Sequence, residues 1–470
     1  MPNYVICGML FGDCGKGSWV DYLTYVKEIQ NIVRYNGGAQ AAHTVIRPED
    51  KMPHKFGQMG SGMFNHNAKT YITKNMIADP IRLIDEAVKF GKKTGLDTTE
   101  VLSRIFIDED SYFVTSYHKL LNKLRELSLG NERRGSVGAG VSEAALLIRQ
   151  MNLGIQIKEL YRPLVFRERL YRLFEFTQEF FEENKKSIVA NMMGEDFKPL
   201  KDEIEFLMKP DSVSEVYNYY LTVIGSNDLN ICSDFTKYLK NQSAIYEATQ
   251  GLLLDWKYGT VPNVTQLDTT NHFAIEMISS FKKKPVKIGM VKAFSTRHGR
   301  GVFPTEDGNM VLSDPNQVEG VWNGSMRFGW FDALLTRYAQ KINQTDELFL
   351  SSLDNLDFFS KIKICNEYLY NGKIDEEFKN IFHYEMHKGK IIIKDIKKTS
   401  GSSHLTSYLI NCEPIYTEVN GWNLNTSRLK KPTDLPLYCR KYIEMMQNLV
   451  GVKISAVSVG PTRSDKIRMC

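Results

Sequence analysis

The sequence predicts an α/β fold: a large, mainly parallel, twisted sheet flanked by helices, with a helical insertion. Three observations carry that reading. Short apolar runs recur along the chain and alternate with amphipathic stretches of helical period. The first apolar run leads through a glycine-rich turn into a helix. One long stretch, about residues 160–240, is rich in Glu, Lys, Phe and Tyr at helical spacing. The strand-like runs are 4–7, 31–35, 104–107, 244–248, 286–291, 348–351, 361–365 and 453–458. Each is short, rich in β-branched and aromatic residues, and bounded by turn formers. Residues 80–90, 269–281, 330–342 and 437–450 read as helices, and a further helix is expected to begin at Trp19. The stretch 160–240 reads as all-helical and packed on the sheet. No Gly/Ser-rich or Pro-rich linker cuts the chain, so 1–470 is expected to be one domain with that insertion inside it.

Bulk composition narrows the function classes. The chain has 470 residues, and its 60 Lys and Arg against 55 Asp and Glu leave a net charge of only +5. That balance gives no argument for nucleic acid or for a membrane surface. No apolar run approaches a membrane span, and no signal peptide is read at the N-terminus. Seven widely spaced cysteines, with no C-x-x-C, fit a reduced, cytoplasmic chain without a disulfide frame or structural zinc. The nine histidines form no metal-binding array. His383 and His387 fall in a stretch read as the turn before a strand at 391–393, and read as surface.

Five motifs carry chemistry. "GMLFGDCGKGSW" joins the first strand to a helix, giving a phosphate-loop-NTPase-like start. Backbone amides at a helix N-terminus and the Lys16 ammonium favour phosphate. Asp13 is out of place beside phosphate oxygens unless it binds Mg²⁺ or takes a proton from a reacting group. "VRYNGGAQAAHTV" runs from a strand into Gly37 and Gly38 and reaches His43, a residue able to protonate a leaving oxygen. In "EATQGLLLDWKYGTVPNVT" a strand is expected to end at Gln250 and Gly251, and Gln250 and Thr265 offer neutral hydrogen bonds. "VKAFSTRHGRGVFPTE" is a turn-rich loop carrying Arg297 and Arg300. "SSLDNLD" follows a strand. A carboxylate there, such as Asp354, can accept the N1–H and 2-amino hydrogens of guanine, a donor pair that adenine lacks.

Taken together and in this order, the motifs resemble the adenylosuccinate synthetase family. "GDCGKGS" is similar to its GDEGKGK, "YNGGAQAAHT" to Q-G-G-x-N-A-G-H-T, and "EATQGLLLD" with "GTVPNVT" to E-G-A-Q-G-x-x-L-D and G-T-Y-P-x-V-T. "GWFDALLTRYA", "SSLDNLD", "CEPIYTEVNGW" and "SVGPTRSD" extend the resemblance over nearly the whole chain. The family joins aspartate to IMP at the expense of GTP through a 6-phosphoryl intermediate. The resemblance implies that Asp13 takes the purine N1 proton and, with the carbonyl of Ala42, binds Mg²⁺. Gly12, Gly15, Lys16, Gly17, Ser18, His43 and Thr44 would hold the GTP phosphates, with His43 assisting departure of GDP and Arg327 contributing to the same nucleotide. Asp354, Ser458, Gly460 and Pro461 would hold guanine. Gln40, Ser136, Val137, Gln250 and Thr265 would hold the purine substrate beside Asp13. Family members are homodimers that lend an arginine across the interface, and Arg149 is the candidate here.

The departures cluster. Cys14, Ser18, Gln40, Ala42 and Val137 replace family residues, and Ser352 replaces a lysine near guanine. The amine-donor loop, Val321, Trp322, Asn323, Gly324, Ser325, Met326 and Arg327, holds one arginine where the family has several. Arg297 and Arg300 are candidates to compensate. Three readings follow: an active ligase using aspartate; a ligase using another purine or amine, as in phage relatives that make a 2-aminoadenine precursor; or a nucleotide-binding sensor that no longer ligates. A partner protein with a fossil site is disfavoured, because its buried charges would lack ligands.

Overall fold

The computed structural model describes residues 2–136, 138–192, 197–282, 284–310, 312, 324–397 and 404–469. Val137, Val321, Trp322 and Asn323, singled out above, lie outside them.

Strand β1 (Tyr4–Gly8) leads into helix α1 (Lys16–Val26). Strand β2 (Asn31–Arg34) is followed by a hairpin of β3 (His43–Ile46) and β4 (Pro53–Phe56). Then come β5 (Lys69–Ile72), β6 (Ile105–Asp108), β7 (Asn230–Cys232), β8 (Ala244–Glu247) and β9 (Val286–Lys292). Strands β10 (Ser295–His298) and β11 (Met326–Gly329) form an antiparallel ribbon. They are followed by β12 (Phe331–Asp332), β13 (Glu347–Ser351), β14 (Lys361–Tyr370), β15 (Phe382–His387), β16 (Lys390–Ile396) and β17 (Cys412–Asn420). The chain closes with β18 (Ile454–Ser458) and β19 (Lys466–Arg468).

Ten of these strands make the main sheet, in the order β19-β18-β13-β9-β1-β8-β2-β5-β6-β7. Every pairing is parallel except β18 with β19. Strand β1 is central and buried along its whole length, as expected for a strand covered on both faces. Its side chains alternate between two cores: Val5 and Cys7 pack on one face, Tyr4 and Ile6 on the other. Successive strands lie on either side of β1, so their C-terminal ends open a crevice there, where open parallel sheets place ligands. Four of these ends carry a charged or hydroxyl residue: Arg34, Glu247, Lys292 and Ser351.

All eight expected strands form, but the one at 361–365 belongs elsewhere. It begins β14, the centre of a smaller sheet with β12, β16, β15 and β17. Several boundaries move. Helix α1 starts at Lys16, three residues before Trp19, because Gly15 caps it with a left-handed φ of 74°. The helix expected at 330–342 starts at Ala333, since the Asp332 carboxylate accepts from Leu335 N at 2.9 Å and caps it there. The helix expected at 269–281 is only His272–Ile278. His383 and His387 lie in β15, not in a turn, and both are exposed.

The stretch 160–240 holds the helices Pro163–Asn191, Lys198–Leu207, Ser212–Gly225 and Thr236–Leu239. It is not all-helical: β7 lies within it and supplies the sheet's edge strand beside β6. Three residues are too few for their alternation to show in the sequence. The helices are pinned to the rest of the molecule by buried aromatic residues: Tyr117 stacks edge-on to Phe174, and Tyr220 OH donates to Val114 O at 3.2 Å.

Candidate active site

The β1–α1 loop is shaped by its backbone. Gly12 and Gly15 have φ of 89° and 74°, and Asp13, not a glycine, sits at 40°. Strain of this kind in a non-glycine residue is tolerated where the surroundings hold it. A loop at residues 249–252 presses on it main chain to main chain. A Cβ at Gly251 would lie 2.3 Å from Leu10 O, and one at Gly8 would lie 2.5 Å from Gln250 O. The early start of α1 places Lys16, Gly17 and Ser18 in its first turn, where amides have no carbonyl partner within the helix. Gly17 also lets β3 approach, since a Cβ there would meet His43 Cβ at 2.8 Å.

Two charged groups face this loop. Lys16 Nζ donates to Gln250 O at 2.6 Å. Asp13 Oδ2 accepts from Lys292 Nζ at 2.7 Å. Burial works to raise the Asp13 carboxyl, but Lys292, with His298 and Lys16 behind it, outweighs burial and holds it below the usual carboxylate range. Asp13 is therefore an anion at neutral pH.

His43 is buried at the start of β3. Its Nδ1 lies 2.5 Å from Glu247 Oε1, and its Nε2 is buried without a protein partner among the described residues. Glu247, at the end of β8, also accepts from Ser61 N at 3.0 Å and from Ser61 Oγ. Burial works to raise Glu247, but Arg34, His43 and Ser61 hold it low, at about 2. The imidazole is pushed down to about 4, first by burial, which outweighs the help of Glu247, with Lys16 and Arg34 adding to the depression. The empty-handed form is a neutral imidazole that gives its Nδ1 proton to Glu247 and presents Nε2. An anionic oxygen arriving at Nε2 favours the doubly protonated form.

The remaining groups divide into free and engaged ones. Both amide atoms of Gln40, Gln250 Oε1 and Asp354 Oδ1 are buried without partners among the described residues, as expected of groups awaiting a ligand. Gln250 stands in a left-handed turn at φ 37° after β8, which ends at Glu247 and not at Gln250–Gly251 as expected. Burial, the leading cause, pushes Asp354 up to about 6. Ser458 Oγ donates to Gly460 O at 2.7 Å beside an exposed Pro461. Ser136 donates to Asn122 Oδ1 at 2.9 Å, and Thr265 Oγ1 lies 3.5 Å from Ser142 Oγ. Thr44 is half-buried in β3, and the backbone at Ala42 is exposed.

The arginines are engaged within the chain. Arg327 donates to Glu306 Oε2 at 2.7 Å and to Gly301 O at 2.8 Å. Arg297 is no substitute for missing anion binders. It is buried over the Phe11 ring and donates to Thr260 Oγ1, Val302 O, Asn263 O and Arg300 O. Arg300 donates to Asn131 O. Met326 is buried in the core, whereas Gly324 and Ser325 precede it in the turn before β11. Arg149 stacks on the Trp256 ring at 4.3 Å and donates to Gln266 Oε1 at 2.8 Å within its own chain.

Sequence reasoning gave no role to Glu247, Lys292, Ser61 or Lys466. For the first two a signal existed: a charged residue closing an otherwise apolar strand of a parallel sheet is an anomaly. Nothing local marks Ser61 or Lys466.

The family model for adenylosuccinate synthetase matches residues 5–467. The chain belongs to the adenylosuccinate synthetase family. It is 30% identical to an adenylosuccinate synthetase of Halothermothrix orenii, over 100% of this chain and 99% of that one. It is 31% identical to one of Caldanaerobacter subterraneus, over 99% of each. In fold it matches the fully ligated adenylosuccinate synthetase of Plasmodium falciparum, with TM-score 0.77 and 21% identity over the full length of both chains. A weaker fold match, TM-score 0.55 and 13% identity, is the succinoaminodeoxyadenylate synthetase of cyanophage S-2L, covering 100% of this chain and 95% of that one. Members of the family are carbon–nitrogen ligases of purine synthesis that bind GTP, and the chain is a ligase of that kind. Among the described residues, no helix is long and apolar enough to cross a membrane.

Proposed function

We propose that this protein joins aspartate to the 6-position of IMP, driven by GTP, with the whole chain acting as a single domain and the 160–240 stretch as an elaboration on it. The observation that supports this most is the pairing of an ionised Asp13 with a neutral His43 held by Glu247, on either side of the α1 N-terminus. A nucleotide sensor has no use for a base and an acid together.

Asp13 accepts the N1 proton of the purine, which makes the 6-oxygen a nucleophile toward the γ-phosphate. Lys16 and the first amides of α1 hold the phosphates. Lys16 leaves the Gln250 carbonyl to do so. His43, oriented through Nδ1 by Glu247, becomes doubly protonated once phosphate oxygens face Nε2, and then gives its Nε2 proton to the oxygen leaving with GDP. Gln40 and Gln250 orient the substrate purine with their unpartnered amide atoms, and Asp354 accepts from guanine. The donor set of the Asp13 carboxylate and the Ala42 carbonyl is all oxygen, which fits Mg²⁺. When bound there, the ion offsets phosphate charge. Dimerisation, the trans role of Arg149 and a cytoplasmic location belong to this reading.

One observation favours a second reading, an amine donor other than aspartate. No Lys or Arg occurs between Gly301 and Met326, and Arg327 is already committed to Glu306 and Gly301. Aspartate's two carboxylates call for paired charge-assisted hydrogen bonds. Phosphate release from GTP with IMP, with and without aspartate, tests both readings. Release that needs both substrates and disappears in Asp13→Ala supports the aspartate reaction. Release that another amine supports better establishes the second reading. GTP binding without any release refutes ligation.

A further inference from the structure

Lys466 is an anomaly. It opens the edge strand β19, is 8% exposed, and lies opposite Ser458 in the register with β18. Its Nζ lies over the Trp19 ring, 5.1 Å from the centroid. Burying an ammonium is costly, and an apolar residue would pack the same edge at less cost. Nζ donates to Ser458 Oγ at 3.1 Å and to Gly460 O at 3.2 Å. Both acceptors belong to the loop assigned to guanine. Asp354, whose Oδ1 is buried without a partner among the described residues, is close enough to feel the Lys466 charge.

We propose that Lys466 is a positioning residue for guanine: its ammonium fixes the Ser458–Gly460 turn and supplies the counter-charge that keeps Asp354 an acceptor. This rests on the GTP reading above. The groups facing Asp354 are Asp357, Asp465 and Lys466, so Lys466 is the cation acting on it. The groups facing Lys466 are Asp465, Asp354 and Asp21. Burial pulls Lys466 down to about 8 against those three carboxylates, which leaves it charged at neutral pH. An ionised Asp354 accepts both donors on the guanine edge. A protonated one becomes a donor facing donors and loses the match.

Calorimetry with GDP, IDP and ADP tests this without requiring turnover, since IDP lacks the 2-amino group. In Lys466→Met at pH 7.0, GDP binding weakens about tenfold or more and IDP binding weakens less, so the GDP:IDP preference shrinks. Raising the pH to 8.5 restores part of the preference in that variant, whereas wild type, whose Lys466 loses charge over that range, gains none. Lys466→Arg keeps the charge and the preference. If the Met variant does not fold, Lys466→Gln, which retains a donor, shows the same narrowing. Equal weakening of GDP and IDP at every pH reduces Lys466 to packing and overturns the inference. Wild-type protein that binds ADP as tightly as GDP overturns the guanine reading itself, which is a separable result.

Discussion

The two halves of the site differ in kind. Around α1, charged side chains are engaged with one another or with the main chain: Asp13 with Lys292, His43 with Glu247, Lys16 on the Gln250 carbonyl. The β10–β11 ribbon instead spends its arginines on the protein, Arg297 on carbonyls and Arg327 on Glu306. The phosphate half is thus assembled before any ligand arrives, with groups left over to meet one. Among the described residues the ribbon's arginines are largely tied, with Arg327 Nε left without a partner. The contrast teaches that activation of a purine oxygen is built into this chain more firmly than the choice of the amine that follows.

Asp13→Asn breaks the comparison most severely. In the proposed reaction the carboxylate is the base, so kcat for phosphate release falls by about 10²–10⁴, the range for removing general base catalysis. Steady-state phosphate release with saturating GTP, IMP and aspartate measures it. Glu247→Gln leaves His43 in place but removes the anion that orients it. Its kcat falls by about 10–10², while the KM for GTP changes little, and adding His43→Asn costs less than the product of the two single effects, because the pair acts as a unit. Arg327→Met sharpens the other half. If its guanidinium turns from Glu306 to hold aspartate, the KM for aspartate rises about tenfold or more. If it serves only the ribbon, KM stays and Tm falls.

The smallest effect is on stability against acid. His43 has a folded value near 4, below the ordinary 6.5, so the unfolded chain binds the proton more readily. The stability tied to its neutral form is whole above pH 6.5 and is lost as the pH falls toward 4. Glu247, also depressed, loses its share only below 4.5. A thermal melt series from pH 7.5 to 4 should show Tm falling, and His43→Asn should remove only its share of that fall, since burial depresses His54 and His118 in the same direction.

How much of this could be read in advance follows the physics of each segment. Apolar strands such as Tyr4–Gly8 and Val286–Lys292 announce themselves because both faces are buried. The three residues of β7 cannot, since a parallel neighbour makes them a strand, not their own pattern. Asp13, Lys16 and His43 stood out because their chemistry is odd for a glycine-rich turn. Lys292 and Lys466 are partnered over spans of sequence, to Asp13 and to the Asp354 pocket, that only the folded sheet closes. That Arg297 is committed to carbonyls was equally invisible, because a sequence names an arginine but not what it donates to.

The bare contact between the turn at Gly8–Gly12 and the one at Gln250–Gly251 has a consequence for how this protein can diverge. With no side chain between them, the spacing of the two turns cannot be retuned by ordinary point changes. If GTP's phosphates lie on one turn and the purine on the other, as proposed, drift can alter which amine enters and how tightly a base is gripped, yet the reach of the phosphoryl jump stays set by peptide bonds touching peptide bonds.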